Sequence, residues 1–134
     1  MEKIFHPESI AVFGVSDTPR NLARIIVENL ARFGFRGEVY PVGPRDGVVA
    51  GWKIRKDLDG VKGAPDLAVI LVPARYAPET VETCGRKGIR NVILESGGFS
   101  ELSDDRLALE GSVLQTARRY GMRMIGPNCF GVVN

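Results

Sequence analysis

Glycine, hydroxyl, amide and guanidinium residues gather at the ends of apolar runs in this chain, and their types suit the holding of phosphate esters rather than bond cleavage. Ser9-Ile-Ala-Val-Phe-Gly14-Val-Ser16 is a buried-strand run that ends in a glycine turn and passes directly into an apolar helical pattern. Such a turn sets backbone N–H groups and the positive end of a helix dipole at the carboxyl edge of a first parallel strand, where nucleotide phosphates bind. Ser16 and Asn21 bring donors for phosphate oxygens, and Arg20 and Arg24 add positive charge near the helix start. A Thr18 N-cap with Pro19 at the first helical position is the structural alternative for this segment. Capping alone does not require the preceding Gly-x-Ser turn. No glycine follows Gly14 until Gly34, so the G-x-G-x-x-G dinucleotide fingerprint is absent.

Three further strand ends carry comparable signatures. Pro41-Val-Gly43-Pro44-Arg45 closes a second strand. An NAD-binding domain carries an acid here for the ribose hydroxyls, whereas Arg45 suits a ribose that bears a phosphate, which leaves NADP and coenzyme A open. An ion pair with the adjacent Asp46 is the structural alternative for Arg45. Val72-Pro73-Ala74 closes a third strand with small residues that leave room for a flat ring or a thin chain, and proline stops the ladder there. Glu95-Ser96-Gly97-Gly98-Phe99 closes a fourth in a glycine turn able to form an anion nest.

The elements that must position these turns alternate. Strands are expected at Ser9 to Phe13, Glu38 to Val42, Leu67 to Val72, Asn91 to Leu94 and Arg123 to Ile125. Helices are expected between them, one with a stripe of Leu22, Ile25, Ile26, Leu30 and Phe33 that stops at Gly34, one from Pro78 to Arg86 closed near Gly88, and one from Asp104 to Tyr120 capped by Gly121. This is the pattern of an α/β, Rossmann-like doubly wound sheet of five parallel strands, expected in the order 3-2-1-4-5, with residues 1–134 as a single domain. Leu67 to Val72 shows no polar alternation and so belongs near the centre. Asp46 to Ala64 fits the alternation poorly and reads as a loop or short hairpin anchored by the lone Trp52.

Composition narrows the function classes. The chain has 134 residues, a net charge of +2 and 44% hydrophobic residues, with no Lys/Arg cluster interleaved with aromatics, so a nucleic-acid partner is not expected. No apolar run reaches the roughly 20 residues that span a bilayer, and the first residues lack a signal-peptide layout, so a cytoplasmic protein with no membrane partner is expected. Cys84 and Cys129 form no C-x-x-C and read as packing residues rather than metal ligands. The only histidine, His6, precedes the first strand, far from the turns above, so no catalytic residue is assigned.

In order, Gly14-Val-Ser16, Tyr40-Pro-Val-Gly-Pro44-Arg45, Val72-Pro73-Ala74, Ser96-Gly-Gly-Phe99 and Gly126-Pro-Asn128-Cys-Phe-Gly131 resemble the N-terminal coenzyme A-binding domain of NDP-forming acyl-CoA synthetases, a family that includes ADP-forming acetate–CoA ligases and is similar to the succinyl-CoA synthetase alpha subunit. Some bacterial protein acetyltransferases share the domain. The resemblance implies that Gly14, Ser16, Asn21 and Leu22 line the phosphates with Arg20 close by, that Pro44 and Arg45 face the adenosine end, and that Val72, Pro73 and Ala74 border the cofactor. It implies that Ser96, Gly97, Gly98, Asn128 and Cys129 face the reactive end, where a thioester and a phosphorylated histidine would meet. The phosphohistidine and nucleotide-grasp domains of such synthetases are then partners, in cis or in trans, and the chain itself is a binding module; an NADP-binding module of an oxidoreductase or redox regulator is the alternative. Pro19-Arg20-Asn21-Leu22-Ala23 stands where relatives commonly show Pro-Gly-Lys-x-Gly, and Gly43-Pro44-Arg45 where they often show Asn-Pro-Lys. Arginine keeps the charge of lysine but changes the hydrogen-bond geometry, and the two lost glycines alter how closely a pyrophosphate approaches the first turn.

Overall fold

A strand with no polar face needs hydrogen-bonding neighbours on both edges and cover on both faces, and that requirement organises this molecule. The computed structural model describes residues 2–97 and 104–127. Its elements in chain order are α1 (Glu2–Phe5), β1 (Ser9–Phe13), α2 (Leu22–Arg32), β2 (Glu38–Val42), β3 (Val48–Val49), β4 (Trp52–Lys53), β5 (Leu67–Ile70), a 3-10 turn (Ala74–Tyr76), α3 (Ala77–Lys87), β6 (Asn91–Leu94), α4 (Asp104–Arg119) and β7 (Arg123–Ile125). The main sheet is parallel throughout, in the order β2-β1-β5-β6-β7. The α/β doubly wound class is as expected from the sequence, but the order of the five strands is 2-1-3-4-5 instead of 3-2-1-4-5. The expected order would leave the Leu67–Ile70 strand on an edge. All four of its residues are buried, and it sits in the middle, with Ala11 opposite Ala68 on one side and Ala68 opposite Val92 on the other.

Side chains alternate across the sheet into two cores. Ala11, Phe13, Ala68, Ile70, Val92 and Leu94 face α3 and α4, while Ile10, Val12, Leu67, Val69 and Ile93 face the side covered by α2 and the hairpin. The α2 stripe differs from expectation. Its buried face is Ala23 and Val27, with Ile26 and Leu30 packed beside them, whereas Leu22 and Phe33 are 66% and 79% exposed. At 100° per residue the core-facing direction is therefore turned by roughly a fifth of a turn from the expected stripe. The small Ala23 lets the helix start lie close on β1.

The β2-to-β5 crossover contains no helix. Val48–Val49 and Trp52–Lys53 form the short hairpin anticipated for this region, turning through Ala50 and Gly51, both at positive φ as a two-residue hairpin turn requires. Trp52 is only partly buried; Val49, Ile54 and Leu58 are the deep anchors. Beyond the hairpin the chain returns to the sheet, since Arg55 N–H donates to the Pro41 carbonyl and Gly43 N–H to the Arg55 carbonyl, each at 2.8 Å. On the opposite face α3 and α4 are clasped by Tyr120, whose hydroxyl donates to Glu82 Oε1 at 2.6 Å and whose ring lies against Gly85.

Candidate functional site

The strand order creates a switch point. From β1 the chain leaves toward β2 by way of α2 on one face, and from β5 it leaves toward β6 by way of α3 on the other, so a crevice opens above the carboxyl ends of β1 and β5. Gly14 stands at its base with φ of +92°, and a Cβ there would run into the Leu71 carbonyl. Glycine is thus required for the two strand ends to approach. A cavity of about 870 Å³ fills the crevice.

Most of the residues singled out from the sequence meet here. Gly14, Ser16, Arg20, Asn21 and Leu22 form one wall, Pro44, Val72 and Pro73 another, and Ser96 with Gly97 the far end. Ala74 packs against the α3-side core and does not line the cavity, and Arg45 is exposed outside it. No ion pair joins Arg45 to Asp46 among the described residues. Gly98, Asn128 and Cys129 lie outside the described residues. Sequence reasoning missed Leu71, Tyr76 and Glu95, which also line the cavity. Tyr76 had a visible signal, an aromatic residue just after the strand-ending Val72-Pro73-Ala74.

The first turn works differently from the expected cradle. Gly14 and Val15 N–H both donate to the Val42 carbonyl at 3.0 Å, tying the turn to β2. Asn21, not Thr18, caps α2: its Oδ1 accepts from Arg24 N–H at 2.7 Å and from Ser16 N–H at 3.3 Å, while its Nδ2 donates to the Gly14 carbonyl at 2.9 Å. Asn21 is therefore tied into the loop through its Oδ1 and one of its two Nδ2 hydrogens. Ser16 Oγ accepts from Thr18 N–H, which leaves its own O–H able to donate into the cavity it lines. Arg24 is held by the Asp17 carbonyl and by Glu28 at 2.7 Å, which leaves Arg20 as the cation on this wall. Leu22 and Ala23 open the helix, and a helix's first N–H groups have no intrahelical acceptor, so these amides, the Ser16 hydroxyl and the Arg20 guanidinium are what the wall offers an anion.

At the far end Ser96 is 4% exposed, and its Oγ is the buried side-chain polar atom that has no hydrogen-bond partner among the described residues. Leaving a hydroxyl buried and unpaired is costly, so a hydroxyl in this state on a cavity wall points to a ligand that would pair it. Among the described residues nucleophilic chemistry has no comparable support. The Cys84 thiol is buried away from the crevice and burial pushes its pKa up to about 12. Among the described residues no group of three or more His, Cys, Asp or Glu could hold a metal, and no helix is long and apolar enough to cross a membrane.

Residues 8–134 match the family model described as a CoA binding domain. The chain is 39% identical over 99% of its length to the alpha subunit of acetate–CoA ligase [ADP-forming] I from Pyrococcus furiosus, and spans 30% of that subunit. It is 37% identical over 98% of its length to 4-hydroxybutyrate–CoA ligase [ADP-forming] from Nitrosopumilus maritimus, of which it spans 19%. Among solved structures, the apo dinucleotide-forming acetyl-coenzyme A synthetase 1 of Ca. Korarchaeum cryptofilum superposes with a TM-score of 0.88 at 35% identity, covering 97% of this chain and 28% of that one.

Proposed function

This chain belongs to the CoA binding domain family, and we propose that it holds coenzyme A for an NDP-forming acyl-CoA synthetase, in the crevice between the ends of β1 and β5. In the full reaction acyl-CoA, ADP and phosphate are interconverted with carboxylate, CoA and ATP, and the chain's part is to bind and orient. The observation that carries the reading is the buried, unpaired Ser96 hydroxyl at one end of a cavity whose other end offers the α2 N-terminus and Arg20. An ester of pyrophosphate with a long neutral arm fits that polarity: anionic where the wall has amides and a guanidinium, and uncharged where it has the Ser96 hydroxyl, Glu95 and apolar Leu71 and Val72.

In this reading Leu22 and Ala23 amides with Arg20 receive the pyrophosphate, Pro44 borders the adenosine end, and Val72 and Pro73 flank the arm. Ser96 and Gly97 face the thiol end. A phosphohistidine-bearing domain and a nucleotide-grasp domain, in the same chain or another, supply the group transfers, in a cytoplasmic setting where CoA is abundant. A related acetyltransferase assembly would use the same module for the same purpose.

Thermal unfolding with and without ligand tests this. A ligand that binds only the folded state at about 100 times its Kd stabilises by about 2.7 kcal/mol, a shift of several degrees in Tm. The expected result is such a shift with CoA and none with NADPH at equal concentration. Stabilisation by NADPH alone, or no binding heat with millimolar CoA, overturns the reading.

A further inference from the structure

We propose that Lys56, rather than Arg45, grips the phosphate on the adenosine ribose, in a second chamber behind Pro44; this rests on the coenzyme A reading above. A cavity of about 480 Å³ opens on the α3 side of the strand ends. It shares Gly14, Pro44 and Val72 with the main crevice, so the two form one trough across the switch point. Its floor includes Phe13 and Val42, Lys56 and Asp57 form one wall, and Glu79, Thr80 and Thr83 of α3 form the other.

The charge pattern selects the occupant. Lys56 is the one cation lining this chamber among the described residues, and it stands with two carboxylates, Asp57 and Glu79. The two carboxylates accept hydrogen bonds from ribose hydroxyls or an exocyclic amine. A single phosphate then pairs with the lysine. A phosphorylated nucleoside with its pyrophosphate displaced toward α2 satisfies both chambers at once. Thr80 Oγ1 donates to the Tyr76 carbonyl at 2.8 Å and keeps its lone pairs for a donor from the base.

Backbone pairing is what brings Lys56 there. Arg55 bridges to Val42 in parallel and exchanges hydrogen bonds with Pro41 and Gly43, which lays residues 54–56 along the end of β2. Ile54 turns into the α2-side core and Arg55 lies over the Tyr40 ring, 5.6 Å from its centroid. Arg45, although it directly follows the Gly43-Pro44 turn after β2, lines neither chamber.

The test is calorimetric titration of the 134-residue chain with CoA and dephospho-CoA, for wild type, Lys56→Met, Lys56→Arg and Arg45→Ala. Wild type is expected to prefer CoA by about tenfold, the size of one charge-assisted contact. Lys56→Met should bring the ratio to about one with dephospho-CoA affinity unchanged, while Lys56→Arg and Arg45→Ala keep most of it. A ratio that survives Lys56→Met, or that Arg45→Ala removes, overturns the assignment and leaves the CoA reading standing. Failure of wild type to bind either ligand overturns both.

Discussion

The Asn21 side chain joins the end of β1 to the start of α2: its Nδ2 donates to the Gly14 carbonyl at 2.9 Å while its Oδ1 accepts from Arg24 N–H at 2.7 Å. The loop that walls the crevice is thus shaped by an internal staple, and the first amides of α2 are aimed by it.

Asn21→Ala should therefore lower stability by about 1–2 kcal/mol in denaturant unfolding, the usual range for a lost N-cap. It should also weaken CoA binding more than it weakens binding of pantetheine, which lacks the phosphates. Asn21→Asp keeps the acceptor for Arg24 N–H, and its charge suits the helix start, so its stability should fall between the two. An Asn21→Ala protein as stable as wild type would contradict the staple.

Ser96→Ala separates ligand binding from folding. Removing a buried hydroxyl that has no partner relieves a desolvation cost, so the unliganded variant should be as stable as wild type or more so by up to about 1 kcal/mol. Its CoA affinity should drop about fivefold to tenfold for a lost hydrogen bond. A destabilised apo variant, or unchanged affinity, would show that the hydroxyl has another role.

Gly85 sits beneath the Tyr120 ring, where a Cβ would collide with Cδ2. In the wild-type background Gly85→Ala should lose stability, because overpacking costs about 1–3 kcal/mol against a helix-propensity gain of about 1 kcal/mol. In a Tyr120→Ala background the same substitution should stabilise by about 1 kcal/mol. The change of sign in this double-mutant cycle is the measurement.

Glu82 gives a pH signature. The Tyr120 hydroxyl first, then the charges of Arg119 and Arg86, hold its carboxyl below the ordinary 4.5. A carboxylate whose folded-state pKa is lowered contributes stability that is present above the unfolded-state value and is lost as pH falls through the folded one. The stability gap between wild type and Glu82→Gln should be constant near neutral pH and close as pH drops below 4.5. A gap that widens in acid would refute the clasp.

Much of the site was legible because turns and strand ends are local. Gly14, Pro44, Val72-Pro73 and Ser96-Gly97 were found from residue type and the apolar runs before them, since glycine and proline state their backbone requirements in place. The roles of side chains within those turns were not. Asn21 and Ser16 carry donors and acceptors whichever way they point, and only folding showed Asn21 donating to Gly14 and accepting from Arg24, and Ser16 accepting from Thr18.

The sequence by itself determined the alternation of elements, the central character of Leu67–Ile70 and the glycine and proline turns at the strand ends, because these follow from periodicity and short-range backbone preference. Tertiary structure alone decided the strand order, which face of α2 is buried, and the neighbours of Pro44. Lys56 comes to line the second chamber, with Gly43 and Pro44, because an irregular crossover pairs Arg55 with the end of β2. Such contacts join residues far apart in the chain, and their energies depend on burial and hydrogen bonding across elements that no local pattern records.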